Sequence, residues 1–343
     1  MNQVTIQGLA KELNLSISTV SKALKDSYEI SAETKERVLQ MAKMLHYRPN
    51  PYASSLRRKK SNTIAVVIPE VADSFFSQAI KGIEDIAQRK GYHVLIYLTY
   101  EACEKEQKIL EDIQSGRVDG VLMSVASETY TTDHIEALNA AGLPLVFFDR
   151  TVQEITTAKV RTDDYESGYK ATQHLLERDC KQIAFLSISS HLDISNNRLN
   201  GYKAALVDYG LSVDENRIVS CTNHAEDNYA ILSQLMNSHH RPDGVLATVE
   251  KLITPFYLVC RNSHIRIPQD VKVIGFSNLA TAQILQPSLT TITQPAFDMG
   301  KAAATILFKA LEKRHYSWQN ENVIIPSELM IRESTEVQQK SVV

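Results

Sequence analysis

Two sets of side chains in this sequence have types and spacings that could do chemistry. The first lies near the N-terminus. In the run Ser16-Ile17-Ser18-Thr19-Val20-Ser21-Lys22-Ala23-Leu24, Val20, Ala23 and Leu24 fall on one helical face and leave Ile17, Ser18, Ser21, Lys22 and Lys25 outside. An isoleucine can meet a thymine methyl, a serine can bond either class of base, and a lysine can donate to guanine. The second set is scattered over the rest of the chain. Asp73, Ser74, Phe75 and Phe76 follow one apolar run, Ser124 a second, and Asp149 with Arg150 a third; Arg198 opens an amphipathic stretch, and Ser277 and Asn278 follow Gly275-Phe276. Carboxylates, a guanidinium and aromatic faces suit a polyhydroxylated or anionic small ligand. Taken singly, each is also an ordinary helix cap or loop residue.

Motifs for covalent or metal chemistry are missing. The sequence holds no GxSxG, P-loop, GxGxxG or HExxH pattern. His239 and His240 are adjacent, so they do not present two ligands on one helix face, and the other histidines are scattered. Cys103, Cys180, Cys221 and Cys260 form no CxxC pair. The expectation is a non-enzyme with no cofactor and no metal site, its thiols free in a reducing cytosol.

The elements that must position the first set are short helices. Ile6, Leu9, Ala10 and Leu13 recur at helical spacing behind Thr5, a candidate N-cap. Asn14 suits a tight turn, Ser16 caps the next helix, and Ser31 caps a third that turns Val38, Met41, Ala42 and Leu45 inward. Two short helices across a three- or four-residue turn, closed by a third, predict a helix-turn-helix whose second helix enters the major groove. A small helical bundle with a polar face fits the same pattern. Pro49 and Pro51 then end the third helix. The segment to Leu56 is too short for a stable isolated helix, and the bases Arg57-Arg58-Lys59-Lys60 follow it. A leucine beside bases suits a wedge into minor-groove base steps, whereas a basic linker is the plainer reading.

From Thr63 apolar β-branched runs alternate with helical periods. The runs are 64–68, 92–97, 120–123, 145–148, 182–187, 217–220, 244–248 and 271–276, with helices between them and the pattern restarting near Ala158. This predicts parallel βαβ units in two lobes. Ligands of such sheets bind beyond the carboxyl ends of the strands, where the second set of polar residues falls.

Several strings together resemble the LacI/GalR family of transcription regulators. At the N-terminus they are Val4-Thr5-Ile6, Leu9-Ala10, Ser18-Thr19-Val20-Ser21-Lys22-Ala23-Leu24, Ile30-Ser31-Ala32-Glu33-Thr34, Tyr47-Arg48-Pro49-Asn50 and Ala53-Ser54-Ser55-Leu56. In the body they are Asp149-Arg150, Arg198 before Gly201-Tyr202, Val273-Ile274-Gly275-Phe276, Pro287 to Ile292, Gln294-Pro295 and Met299-Gly300. The resemblance implies an all-α helix-turn-helix DNA-binding domain (1–48), a hinge helix and linker (49–61), and a two-lobed α/β periplasmic-binding-protein-like domain (62–343). It makes Ile17, Ser18 and Lys22 base readers, with Thr5, Ser16, Thr19, Ser21 and Asn50 as further DNA contacts and Ala53 and Leu56 facing the minor groove. It places a small-molecule effector, carbohydrate-related, against Asp73, Phe75, Phe76, Ser124, Asp149, Arg198, Val249 and Ser277. In two places the chain departs from the pattern. Val249-Glu250 stands where relatives often carry Asn-Asp, and Ser277 where they often carry Asp.

The resemblance implies a homodimer on double-stranded DNA with a pseudo-palindromic operator. A solute-binding protein without DNA function is the alternative. Net charge alone, −3 over 343 residues, argues against nucleic acid. Its distribution reverses that: residues 1–62 hold 11 bases and five acids, +6, and the remainder 26 and 35, −9. Such asymmetry marks a nucleic-acid-binding head. No stretch approaches 18 apolar residues and no signal-peptide pattern opens the chain, so no membrane partner and a cytoplasmic, bacterial location are expected.

Overall fold

A computed structural model describes residues 5–47, 60–313 and 315–336. The chain divides into two compact units, 1–61 and 62–343.

The first unit has three helices, α1 (Ile6–Leu13), α2 (Ile17–Ala23) and α3 (Ala32–Met44). Thr5, Ser16 and Ser31 each accept from a backbone N–H three residues on, at 3.2, 3.1 and 3.3 Å. These bonds satisfy donors that helix starts leave open. Asn14 takes the left-handed conformation at φ 55°, so α1 stops and α2 starts within three residues. Leu9, Ala10, Leu13, Val20, Ala23, Val38 and Ala42 form the buried core, with Met41 and Leu45 packed against it.

The second unit contains two six-stranded sheets. The strands are β1 (Thr63–Ile68), β2 (His93–Leu98), β3 (Gly120–Met123), β4 (Leu145–Phe148), β5 (Ala158–Thr162), β6 (Ile183–Ser187), β7 (Ile218–Ser220), β8 (Gly244–Ala247), β9 (Lys272–Phe276), β10 (Thr290–Thr293), β11 (Asn322–Ile325) and β12 (Glu328–Met330). The helices are α4 (Ser74–Arg89), α5 (Cys103–Ile113), α6 (Asp133–Ala140), α7 (Asp164–Leu176), α8 (Asp193–Asp208), α9 (Ala225–Met236), α10 (Ile253–Asn262) and α11 (Ala296–Glu312). The first sheet runs β11-β5-β4-β3-β1-β2, all parallel. The second runs β12-β10-β9-β8-β6-β7, with only β12 antiparallel. Buried clusters pack on both faces of each sheet, so β3, β4 and β8 are apolar without alternation.

The lobes are not simple halves of the sequence. The chain passes between them after β5, after β10 and after β11, and α11 returns to pack on the first sheet. Asp163, at the first crossing, accepts from the Ser327 N–H at 2.7 Å at the third. Asn278 and Gln294 exchange two bonds at the second, 2.6 and 3.1 Å. Among the described residues no helix is long and apolar enough to cross a membrane.

Candidate functional site

In the first unit the outer face of α2 carries the expected side chains. Ile17 is 42% exposed, Ser18 and Lys22 are exposed and Ser21 is half-buried. The Ser16 hydroxyl is committed to its cap and lies 2.7 Å from Ser18 Oγ and 2.8 Å from Thr19 Oγ1. Lys22 is paired with Glu29, both about half exposed. A surface pair of this kind contributes about 0–1 kcal/mol, so Lys22 can exchange Glu29 for a base or phosphate at little cost. Thr5 is exposed at the start of α1. Asn50, Ala53 and Leu56 lie outside the described residues.

In the second unit Asp73, Phe75, Phe76, Asp149, Arg198, Val249 and Ser277 line one cleft between the lobes. Ser124 does not. It is fully buried, and its hydroxyl donates to Asp149 at 3.3 Å from below. The first side chain beyond β3 turns into the sheet, and the chain reaches the cleft three residues later, at Ser127. Ser124, expected against the effector, lies outside the cleft lining and bonds the Asp149 carboxylate that does line it.

Asp149 follows β4 in the left-handed region at φ 63°, which aspartate tolerates better than most residues. Its backbone N–H closes the ladder to Val160 at 2.9 Å, while its carboxylate faces the cleft. Burial raises its pKa, against the pull of Arg150 and Arg198.

Arg198 comes from the first turns of α8. Its Nε donates to Asp164 at 2.9 Å and its Nη1 to the Thr248 carbonyl at 2.6 Å, with the guanidinium 4.0 Å above the Phe276 ring. Its Nη2 is buried and has no hydrogen-bond partner among the described residues. Arg150, from the first lobe, binds Glu101 at 2.7 Å. Glu101 Oε2 also accepts from the Ser127 N–H at 2.8 Å. Burial works against the Glu101 charge, but Arg150, Ser127 and Lys251 together hold its carboxyl below the usual range. Glu101 Oε1 accepts no hydrogen bond among the described residues and lies 4.0 Å from the Lys251 ammonium.

The two departures from the family pattern meet in space. Ser277 Oγ donates to Glu250 at 2.7 Å, as does the Asn278 N–H at 3.0 Å. Across the cleft the same carboxylate accepts from the Ser74 N–H at 2.9 Å and from Ser74 Oγ at 2.5 Å. Glu250 thus caps α4 from the opposite lobe, where a helix N-terminus favours negative charge. Lys251 adds a second tie, 2.8 Å from Glu70 of the first lobe. Sequence reasoning missed Glu101, Asn223, Lys251 and Gln294 in the cleft, and it noted Glu250 only as a departure.

Asp73 lies beside this bridge. Burial, reinforced by the Glu250 charge, pushes its carboxyl up to about 6, although the Phe75 N–H at 2.8 Å pulls the other way. A carboxyl whose pKa is higher folded than unfolded binds protons more tightly in the native state. Its contribution is therefore present at low pH and lost as pH rises from about 4 to about 6. Asp73→Asn is expected to gain stability over the parent across that window, by about 3 kcal/mol at pH 7.5, with little change below pH 4. Urea unfolding across that range checks this; parallel curves for the two proteins would refute it.

No histidine or cysteine is among the residues lining this cleft, and among the described residues no group of His, Cys, Asp and Glu can hold a metal ion. The cleft between the lobes combines carboxylates, guanidinium groups and aromatic faces, a lining suited to a small polar molecule. A three-helix DNA-binding unit followed by such a body is the build of a ligand-governed transcription regulator. Comparison with known proteins gives the family. Residues 5–50 match the model of bacterial regulatory proteins of the lacI family, and residues 61–333 that of periplasmic binding proteins and the sugar-binding domain of the LacI family. The chain belongs to the LacI family and is a DNA-binding transcription regulator. It is 31% identical over 331 residues to the ribose operon repressor of Halalkalibacterium halodurans, covering 96% of this chain and 97% of that one. A LacI-family regulator from Enterococcus faecium with bound ribose is 28% identical, with a TM-score of 0.70 over 79% of this chain and 98% of its own. The lac repressor dimer bound to operator shares the fold at 22% identity, with a TM-score of 0.81 over 98% of this chain and all of its own.

Proposed function

We propose that this regulator is a cytoplasmic repressor that binds a pseudo-palindromic operator as a homodimer and is governed by a small carbohydrate-type effector held in the cleft. The observation that carries the effector reading is a pair of buried polar atoms in that cleft without a hydrogen bond among the described residues: Arg198 Nη2, and Glu101 Oε1, which has the Lys251 ammonium 4.0 Å away. One lacks an acceptor and the other a hydrogen-bond donor, and hydroxyls supply both. Buried polar atoms without hydrogen bonds are costly, so a ligand that satisfies them prefers the lobe arrangement that presents them together. The proposed contacts are Asp73, Phe75, Phe76, Asp149, Arg198, Val249 and Ser277, with Ser124 acting through Asp149. The proposed partition of the chain is a DNA-binding domain at 1–48, a hinge at 49–61 and an effector and dimerisation domain from 62.

The mechanism is linkage. An effector that prefers one lobe arrangement shifts the population toward it. That alters the spacing of the two hinge segments in the dimer, and so the fit of both heads to one site. On the DNA side Ile17, Ser18 and Lys22 read bases from α2, with Thr5, Ser16, Thr19, Ser21 and Asn50 on the backbone and Ala53 and Leu56 in the minor groove.

Randomised-site selection with the full chain tests the reading. It is expected to yield a two-fold symmetric site bound with affinity that falls steeply with salt. Ile17→Ala should relax preference at one base pair per half-site by about 1–3 kcal/mol. Selection of no consensus overturns the DNA reading. A thermal-shift screen of sugars, in which none stabilises the chain, overturns the effector reading.

A further inference from the structure

The cleft around Arg198 is narrow, with a free volume of about 60 Å³. Beside it lies a larger chamber of about 380 Å³. The two adjoin, with Ser127, Ile188, Ser189, Ser195 and Asn223 lining both. The chamber lies beyond the carboxyl ends of β6 and β7, and both lobes enclose it. Asn223 of the second lobe donates to Ser127 Oγ of the first at 3.3 Å. At the mouth Tyr130 of the first lobe meets His191 of the second edge to face, ring centroids 5.1 Å apart.

Its chemistry differs from that of the main cleft. The main cleft is lined by Arg150, Arg198 and Lys251 among several carboxylates. No lysine or arginine lines the chamber, and its one carboxylate, Glu128, and its two histidines, His191 and His224, are exposed. Its other polar groups are mainly hydroxyls and amides, such as Ser187, Ser220 and Thr222, set over the apolar Ile188, Leu199 and Val219. A phosphate or carboxylate brought there would lose its water shell with no lysine or arginine to compensate. A neutral ring with hydroxyls at its edge and C–H groups on its face matches hydroxyls above an aliphatic floor.

We propose that the chamber is a second subsite, and that the effector of this regulator is a two-unit neutral glycoside. One sugar sits against Asp149 and Arg198, and the second against Ser187, Ser220 and Thr222. This rests on the carbohydrate reading above. A ligand that fills both spaces touches both lobes twice and so governs their arrangement more strongly than a single sugar does.

The test uses the full chain and two panels in calorimetry and thermal shift, monosaccharides (ribose, glucose, galactose) and disaccharides (cellobiose, maltose, lactose, sucrose). A disaccharide is expected to bind at least about tenfold more tightly than its component sugars, a difference of about 1.4 kcal/mol. Ser220 lines the chamber only and is exposed. Ser220→Trp should fill the chamber, weakening the disaccharide about tenfold or more and leaving monosaccharide binding within about twofold. Monosaccharide binding with no gain from the second unit, or equal effects of Ser220→Trp on both panels, overturns the subsite and leaves the carbohydrate reading standing. Failure of every sugar in both panels overturns both.

Discussion

Arg198→Ala is expected to destabilise the effector unit by about 3–5 kcal/mol and to weaken the sugar that the screen identifies at least about a hundredfold. Both effects follow from burial. The guanidinium is 4% exposed, and three groups rely on it: the Asp164 carboxylate, the Thr248 carbonyl and the face of Phe276. Removing it strands Asp164, a buried carboxylate without its cation, beside Asp149, which keeps Arg150. Asp164 is already pushed up to about 6 by burial, with Asp149 adding to it and Arg198 opposing. In the variant Asp164 takes up a proton more readily still, so the stability deficit should be largest above pH 6 and shrink toward pH 4. Asp164→Asn in the Arg198→Ala background removes the stranded charge. That double variant should recover much of the stability and none of the binding, because the Nη2 donor is still missing. Urea unfolding and calorimetry of the three variants separate the two roles. A double variant that regains binding would show that Arg198 only supports the fold and does not touch the effector.

The rule that ligands of parallel α/β sheets collect at strand carboxyl ends pointed to Asp149, and the family resemblance pointed to Arg198; both line the cleft. The same rule failed by three residues at Ser124, because the direction of the first side chain beyond a strand depends on the pleat and on what lies beneath. The α/β alternation was legible because both faces of each sheet are covered, which makes the strands continuously apolar. The lobe crossings were not. β10 is Thr-Thr-Ile-Thr, buried but polar in composition, and its threonines bond Arg332, Thr335 and one another. Nothing local in α11 states which sheet it covers. Gln294, which sits between those two elements and reaches into the cleft, was therefore hidden as a site residue. Glu250 was visible only as a departure from a pattern. Its meaning needed Ser74, 176 positions away, and Ser277, 27 away.

Gly201→Ala carries the second large effect, although Gly201 does not line the cleft. A Cβ there would lie 2.1 Å from the Tyr165 carbonyl oxygen and 2.7 Å from the Tyr169 nitrogen, and one on Gly168 would lie 2.3 Å from the Arg198 carbonyl oxygen. The two glycines face each other where α7 crosses α8, so the helices touch backbone to backbone. An added methyl has only backbone to displace, and the helices must separate. Overpacking of this kind costs about 3 kcal/mol or somewhat more. The separation acts where it matters, because Asp164 opens α7 one turn before Gly168 and Arg198 lies one turn before Gly201. Their 2.9 Å bond depends on that close approach, and displacement of about 1 Å in a preorganised site weakens what it holds by about a hundredfold. Gly201→Ala is therefore expected to lower the melting temperature and to weaken the sugar response together. Gly300→Ala has the same backbone clash, 2.1 Å from Ala79 O, where α4 crosses α11. It should lower stability comparably without separating α7 from α8, and so spare the Arg198–Asp164 pair. Comparing sugar affinity per unit of lost stability in the two variants isolates the geometric effect; equal losses of affinity would refute the role assigned to the α7–α8 crossing.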